Sequence, residues 1–141
     1  MPRETTVKRA KQAAKEGKAP TTQAGEFVRE EIEHIREGKH GARSTKQAIA
    51  IGLSKARKAG VKLPPPEKGT VSEKTRKSAE SAYRKGQSGA KHKTSAKRSR
   101  ATLSALKREG KSAASSKALS RQAKQAAGRR AARKTASRKS K

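Results

Sequence analysis

Residues 90–141 carry eighteen lysines and arginines but only one acidic residue, Glu109. The net charge of this segment is therefore +17, out of +28 for the whole chain. Like charges at this density repel one another, so the segment is not expected to fold compactly without a polyanion to neutralise it. Duplex DNA, with about one negative charge per ~1.7 Å of its axis, is the closest match, followed by RNA and then by an anionic membrane.

The composition also limits how much of the chain can be buried. Only 29% of the residues are hydrophobic, 35% are charged, and the aromatic residues are Phe27 and Tyr83. Most of such a chain cannot bury enough apolar surface to offset its conformational entropy. Cys, Asp, Asn and Trp are absent, which excludes disulfides, thiolate metal sites and Asp-containing catalytic triads. No apolar run approaches ~18 residues, so we expect no membrane insertion and a cytoplasmic location.

The segment 24–63 has the periodicity of folded helices. Val28, Ile32 and Ile35 recur at a spacing that places them on one helical face. The glycine-containing stretch that follows, GKHG, interrupts the helix. The pattern predicts a first helix over residues 25–37.

A second helix is predicted over residues 45–59. Ile49, Leu53 and Ala56 again follow helical spacing. Gly60 is well placed to end this helix, and the three consecutive prolines that follow prevent its resumption.

The two helices form a hairpin whose second helix is capped by Ser44 or Thr45. Few large apolar side chains are available to its core. We therefore expect a marginally stable hairpin, or one completed by dimerisation or by a partner. The predicted fold class is mostly α, with a small helical hairpin flanked by largely disordered basic segments that have the capacity to become helical on binding.

Charge and composition divide the chain into four segments. We predict a basic N-terminal arm (1–23), a helical hairpin domain (24–63), a Pro/Gly/Ser linker (64–89) and a Lys/Arg/Ala/Ser-rich nucleic-acid-binding tail (90–141).

The tail contains a loose repeat, since SALKREGKSAA recurs as KALSRQAKQAA with six of eleven positions identical. A repeated phosphate-binding element is one interpretation, and chance in a biased composition is the other. In helical form Lys117, Arg121 and Lys124 share one side. The predicted nucleic-acid-binding residues are the tail cations Lys97, Arg98, Arg100, Lys107, Arg108, Lys111, Lys117, Arg121, Lys124, Arg129, Arg130, Arg133, Lys134, Arg138 and Lys139.

Other chemistries find little support. The GKS at 110–112 resembles the end of a phosphate-binding loop, but Ala105 stands where that loop needs glycine. His34, His40 and the nearby glutamates match no zinc or di-iron spacing, so we expect a surface histidine, a loop histidine and no metal. With almost no core to perturb the pKa of a catalytic group, we expect neither an enzyme nor a cofactor.

Other binding modes remain open as alternatives. The hairpin could read DNA sequence as a helix-turn-helix, although its connection is longer than the usual three to four residues. The second helix would then read DNA through Lys46, Gln47, Arg57 and Lys58. Apart from that alternative, the predicted secondary nucleic-acid contacts of the hairpin are Lys46, Lys55, Arg57 and Lys58. Two aromatic residues do not provide a stacking platform for single-stranded RNA, and the face opposite the tail cations is mostly alanine, which is poor for membrane binding.

The stretch KQAIAIGLSKARKAG (46–60), within residues 25–60, resembles the signature of a short bacterial domain family of unknown function. Members of that family are small basic proteins, often described only as DNA-binding or as hypothetical, and the resemblance implies a bacterial source. The tail is similar in composition to the Lys/Ala-rich tails of bacterial linker-histone-like nucleoid proteins. That second resemblance implies charge neutralisation.

Together these patterns predict a nucleoid-associated protein that binds DNA without sequence preference, by phosphate neutralisation, with DNA compaction or bridging as its effect. The hairpin would then supply self-association as a homodimer or contact another protein. An RNA- or ribosome-associated factor, or a sequence-specific regulator, is the alternative.

Overall fold

The computed structural model describes residues 2–89 and 95–139. Within these ranges the chain forms six α-helices, a short 3-10 turn and no β-strand. The elements are α1 (Glu4–Lys15), α2 (Pro20–Arg36), α3 (Thr45–Lys58), α4 (Glu73–Gln87), α5 (Ala96–Lys107), the 3-10 turn (Ser112–Ala114) and α6 (Ser116–Lys139). No helix in this part of the chain is both long and apolar enough to cross a membrane.

The predicted pair of helices corresponds to α2 and α3. The first helix begins at Pro20, earlier than predicted, because proline is well suited to the first turn of a helix. The second helix begins at Thr45 as predicted, and its cap is Ser44, whose hydroxyl accepts a hydrogen bond from the Gln47 N–H. Gly60, with φ +100°, follows α3 in the left-handed conformation that commonly ends helices.

The two hairpin helices approach closely because Gly52 of α3 faces the backbone of α2. A Cβ atom at this position would lie 2.6 Å from the Cα atom of Val28, well inside van der Waals contact. The close approach lets small side chains form a core: Ala48 and Ala56 of α3 are fully buried. Packing at this separation compensates in part for the scarcity of large apolar residues.

The core has two clusters, one at each end of the hairpin. In the first, Phe27 packs with α3 and with Ala10 of α1. In the second, Ile32 and Ile35 pack with α3 and with Ala113 and Ala114 of the 3-10 turn. Segments from both sides of the hairpin in the sequence therefore complete its core.

The flanking segments differ from the prediction of largely disordered chain, because α1, α4, α5 and α6 are helical where the structure describes them. Ala, Lys, Arg and Gln have high helix propensity, which accounts for the local conformation. Helices α1 and α4 also bury alanines, so packing against the hairpin adds to this propensity.

The tail is fastened to the hairpin between α5 and α6. The Arg36 guanidinium donates to the Ala114 carbonyl oxygen at 2.9 Å, and the buried Thr45 hydroxyl donates to the Ala113 carbonyl oxygen at 2.7 Å. The Gly41 N–H donates to the Leu106 carbonyl oxygen at 2.8 Å. Removal of the tail at its predicted boundary would therefore also remove part of the core.

Two glycine-to-alanine substitutions test the close helix crossing. We expect Gly52→Ala to lower the free energy of unfolding by about 1–3 kcal/mol, because the new methyl group overlaps α2. Gly128 is also helical but has open space around it, so Gly128→Ala should be neutral or slightly stabilising. Chemical denaturation followed by circular dichroism measures both, and equal effects of the two substitutions would contradict the crossing.

Candidate nucleic-acid interface

The predicted tail cations lie on the solvent-facing surfaces of α5, α6 and the connection between them. Every such side chain that the structure describes is exposed. These residues are Lys97, Arg98, Arg100, Lys107, Arg108, Lys111, Lys117, Arg121, Lys124, Arg129, Arg130 and Lys134. Arg133, Arg138 and Lys139 belong to α6, but their side chains lie outside the described part of the chain.

These cations are not neutralised by acidic side chains. Among the described residues, none of the tail lysines or arginines forms an ion pair with a carboxylate. In residues 2–89, by contrast, glutamates pair with nearby cations: Arg3 binds Glu33 at 3.3 Å and Glu37 at 3.0 Å. The positive potential of the tail is therefore directed to solvent.

Helix α6 groups its cations on one side in its first half and spreads them around the helix in its second half. It has 24 residues and a length of about 36 Å at 1.5 Å per residue, comparable to one turn of duplex DNA. Lys117, Arg121 and Lys124 fall within one narrow arc of the helix, because each lies three or four residues after the previous one. Arg129 and Arg130 are adjacent and diverge by about 100°, so the second half points cations in several directions. Such a surface suits phosphates on a wrapped backbone better than base edges in one groove.

The four predicted secondary contacts on α3 do not lie on one surface. Lys46 and Lys58 are exposed. Lys55 is half-buried and its ammonium group contacts the Glu31 carboxylate. Lys46 and Lys58 therefore remain available to a phosphate, whereas Lys55 is already paired.

Arg57 differs from the prediction of a surface contact, because the structure buries it. Its guanidinium donates to the carbonyl oxygens of Leu63 and Pro64, each at 3.2 Å. Burial lowers the pKa of this group from its ordinary value. Arg57 thus joins α3 to the segment that follows it and is not placed to bind DNA.

The structure also assembles a polar cluster inside the hairpin that sequence reasoning missed. Glu31 is fully buried; its Oε2 atom lies 3.2 Å from His40 Nε2, and its Oε1 atom lies 3.9 Å from His34 Nδ1. His34 Nε2 lies 3.6 Å from Oε1 of Glu30, which is also buried. Burial lowers the pKa of His34, although Glu31 and Glu30 act in the opposite direction.

His34 differs from the expected surface histidine, since its side chain is only 13% exposed. The sequence contained a signal for this arrangement. Glu31 lies three residues after Val28 and four before Ile35, so it belongs to the same helical face as the predicted core. A glutamate on an apolar face needs buried partners, and His34 follows it by three residues.

Residues 3–68 match a family of unknown function (DUF6496). The matched stretch includes α1, α2, α3 and the segment 46–60 that carries the sequence resemblance, and it ends before α4 and the tail. No curated protein and no solved structure matches the chain. The chain therefore combines a stretch similar to an uncharacterised domain with a basic tail beyond it.

Adjacent cations of α3 provide a matched test of these assignments. We expect Arg57→Gln to lower the free energy of unfolding by about 1–3 kcal/mol, because the carbonyl oxygens of Leu63 and Pro64 lose the buried guanidinium that donates to them. Lys58→Gln should change it by no more than about 0.5 kcal/mol, because Lys58 is exposed. Urea denaturation of both variants measures these values, and a neutral Arg57→Gln would show that the guanidinium does not hold the chain at this point.

Proposed function

We propose that this protein binds duplex DNA without sequence preference and acts as a nucleoid-associated protein. The observation that carries the proposal is the exposure of the described tail cations together with the lack of carboxylate partners for them in the same part of the chain. The proposed role is that of a binding protein and not of an enzyme.

The proposed mechanism is counterion release. Each phosphate neutralised by a lysine or arginine releases condensed cations, which gives the affinity a log–log salt slope of about −0.9 per contact. Contact by all eighteen tail cations predicts a slope of about −16, and contact by half of them predicts a slope of about −8. This term is independent of sequence because every nucleotide carries the same phosphate.

The remainder of the chain, residues 1–89, is called the body here. Its paired carboxylates do not compete with phosphates for the tail cations. Two glutamates of α2 and the residue that follows the helix are engaged with cations of residues 2–89: Glu31 with Lys55, Glu33 with Arg29, and Glu37 with Lys39. These three carboxylates are therefore not free to attract the tail cations away from phosphate. The body itself, residues 1–89, still has a net charge of +11, so it does not repel DNA.

Bridging of two duplexes requires a second binding surface, which a homodimer would provide. The apolar faces of α2 and α3 are already covered by α1, α4 and the 3-10 turn of the same chain. Dimerisation is therefore not needed to bury the hairpin. We propose compaction by charge neutralisation as the principal effect and bridging as one that depends on self-association.

An RNA- or ribosome-associated role is the second candidate, because unpaired cations also suit an RNA backbone. Sequence-specific reading of DNA has less support. Eight residues separate α2 from α3, and the buried face of α3 includes Thr45, Ala48 and Gly52. Only a narrow face of α3, with Lys46 and Lys58, is exposed for contacts to base edges.

Replacement of four tail cations tests the proposal. We expect a variant with glutamine at Lys124, Arg129, Arg130 and Lys134 to bind all duplex sequences more weakly and to reduce the salt slope by about 3 to 4. The matched control replaces four exposed cations of the body: Lys11, Lys15, Lys74 and Lys77. The control removes the same net charge as the tail variant. If the tail is the interface, the control should reduce the salt slope much less than the tail variant does.

Fluorescence anisotropy between 50 and 400 mM salt measures both slopes, with random duplex DNA and structured RNA as ligands. Equal slopes for the two variants would show that net charge and not the tail determines binding. Tighter binding to RNA at every salt concentration would favour the second candidate, and a loss confined to one DNA sequence would contradict the proposal.

A further inference from the structure

The buried polar cluster of Glu31, His34 and His40 is not used by the proposed DNA interface. Ligand atoms of the three residues all lie within 4.8 Å of one another. Two of the residues come from α2 and the third from the loop before α3. The side chains of Glu31, His40 and His34 are only 1%, 8% and 13% exposed, so solvent does little to screen or solvate them.

The surroundings of His40 place an oxygen acceptor beside each of its two ring nitrogens. Its Nδ1 atom lies 2.9 Å from the Gly41 carbonyl oxygen, and its Nε2 atom lies 3.2 Å from Glu31 Oε2. Both neighbours are hydrogen-bond acceptors, whereas a neutral imidazole has a single N–H. When that N–H is given to Gly41, the Nε2 lone pair faces a carboxylate oxygen. A metal ion between these two atoms satisfies both.

His34 shows the same arrangement. One ring nitrogen, Nδ1, faces Glu31 Oε1 at 3.9 Å, while the other, Nε2, faces Glu30 Oε1 at 3.6 Å. The second carboxylate oxygen of Glu30 is buried with no hydrogen-bond partner among the described residues. Ligating histidines in proteins commonly direct their other nitrogen to a carboxylate or a backbone carbonyl. Here the other nitrogen of His34 faces the Glu30 carboxylate, and that of His40 faces the Gly41 carbonyl oxygen.

The separations suit a small divalent ion. Bonds of about 2.0–2.2 Å in tetrahedral zinc sites place neighbouring ligand atoms about 3.3 Å apart. The 3.2 Å distance from Glu31 Oε2 to His40 Nε2 matches this value, whereas the 3.9 Å distance to His34 Nδ1 starts from the other carboxylate oxygen, Oε1. Because the three ligand atoms lie within 4.8 Å of one another, binding would require the side chains to draw closer together. Imidazole and carboxylate ligands together are typical of zinc and neighbouring transition metals.

We propose that Glu31, His34 and His40 form a binding site for a divalent transition metal of the zinc class. Three protein ligands leave a fourth position for water.

Lys55 acts as the competitor of the metal. Its ammonium group contacts Glu31 Oε1 and so neutralises part of the negative charge that would attract a metal ion. The Lys55 side chain is 29% exposed, and its flexible stem lets the ammonium move into solvent. Without the metal, Lys55 balances the buried carboxylate; with the metal, the two positive charges repel each other.

A bound ion would join α2 to the loop that holds the tail. His40 directly precedes Gly41 and Ala42, whose N–H groups donate to the carbonyl oxygens of Leu106 and Gly110 at 2.8 and 3.1 Å. The site would therefore stabilise the attachment of the tail to the hairpin. Because DNA binding resides in the exposed tail cations, the site can be tested independently of it.

The test uses the full-length chain without an affinity tag, after removal of metals with a chelator. Titration with Co²⁺ reports tetrahedral coordination through visible absorption, and Zn²⁺ then displaces the Co²⁺. We expect one ion per chain. His34→Gln and His40→Gln should each weaken binding by about tenfold or more. His92→Gln, the same substitution at the remaining histidine of the sequence, should leave the affinity unchanged.

A fourth variant separates a metal site from an ordinary ionic cluster. Lys55→Leu should strengthen Zn²⁺ binding several-fold, because it removes the competing charge. Circular dichroism checks that each variant is folded, and ¹⁵N NMR of the imidazole rings in the unmodified protein requires no variant. Zn²⁺ should shift the ring resonances of His34 and His40 and not those of His92. Stoichiometric binding that survives both histidine substitutions, or an absence of Zn²⁺-dependent shifts at His34 and His40, would overturn the proposal.

Discussion

The structure depends on the close approach of helices whose contact residues are small. Of the fourteen buried hydrophobic residues in the described chain, ten are alanines, and the larger ones are Phe27, Ile32, Ile35 and Val61. Such a core excludes water only if backbones come close together, which Gly52 permits between α2 and α3. Gly86 has the same role between α4 and α3, since a Cβ atom there would overlap the Arg57 carbonyl oxygen. Because each alanine buries little apolar surface, every segment that covers the hairpin contributes to stability.

Buried charge is the second constraint on this small core. Glu30 and Glu31 lie on the inner side of α2, where an unpaired carboxylate would be costly. The Arg3 N–H donates to Glu30 Oε1 at 2.6 Å, and Lys55 and His40 contact Glu31. The residue that precedes α1, the helix α3 and the connecting loop therefore all contact α2 at this point. Such networks contribute specificity of packing more readily than net stability. In a core of alanines that could slide past one another, directional contacts of this kind favour one arrangement of the helices.

The body and the tail differ in whether their charged side chains are paired. In the body, Glu31 and Glu33 of α2 are paired with cations, and one face of each of α1, α2, α3 and α4 packs inward. In the tail, α5 has no buried residue, and the cations of α6 point in several directions. Self-repulsion opposes the tail helices, and phosphate neutralisation would remove it. The 3-10 turn connects the body to the tail: Ala113 and Ala114 belong to the core, Leu119 near the start of α6 packs against it, and the cations of α6 are exposed where their side chains are described.

The sequence by itself determined the helical class, the existence of the two helices α2 and α3, a cap at Ser44 or Thr45 and the concentration of charge beyond residue 90, because periodicity, capping and charge are properties of neighbouring residues. It could not show that the flanks pack on the hairpin, since alanine-rich helices have no strong apolar stripe. It also could not separate Arg57 from Lys58, because the burial of Arg57 depends on the later path of the chain. Only the tertiary structure joined Arg36 to Ala114 and Thr45 to Ala113, 78 and 68 residues apart, and only it placed His40 beside Glu31. Contacts across such separations arise from packing, which local sequence patterns do not encode.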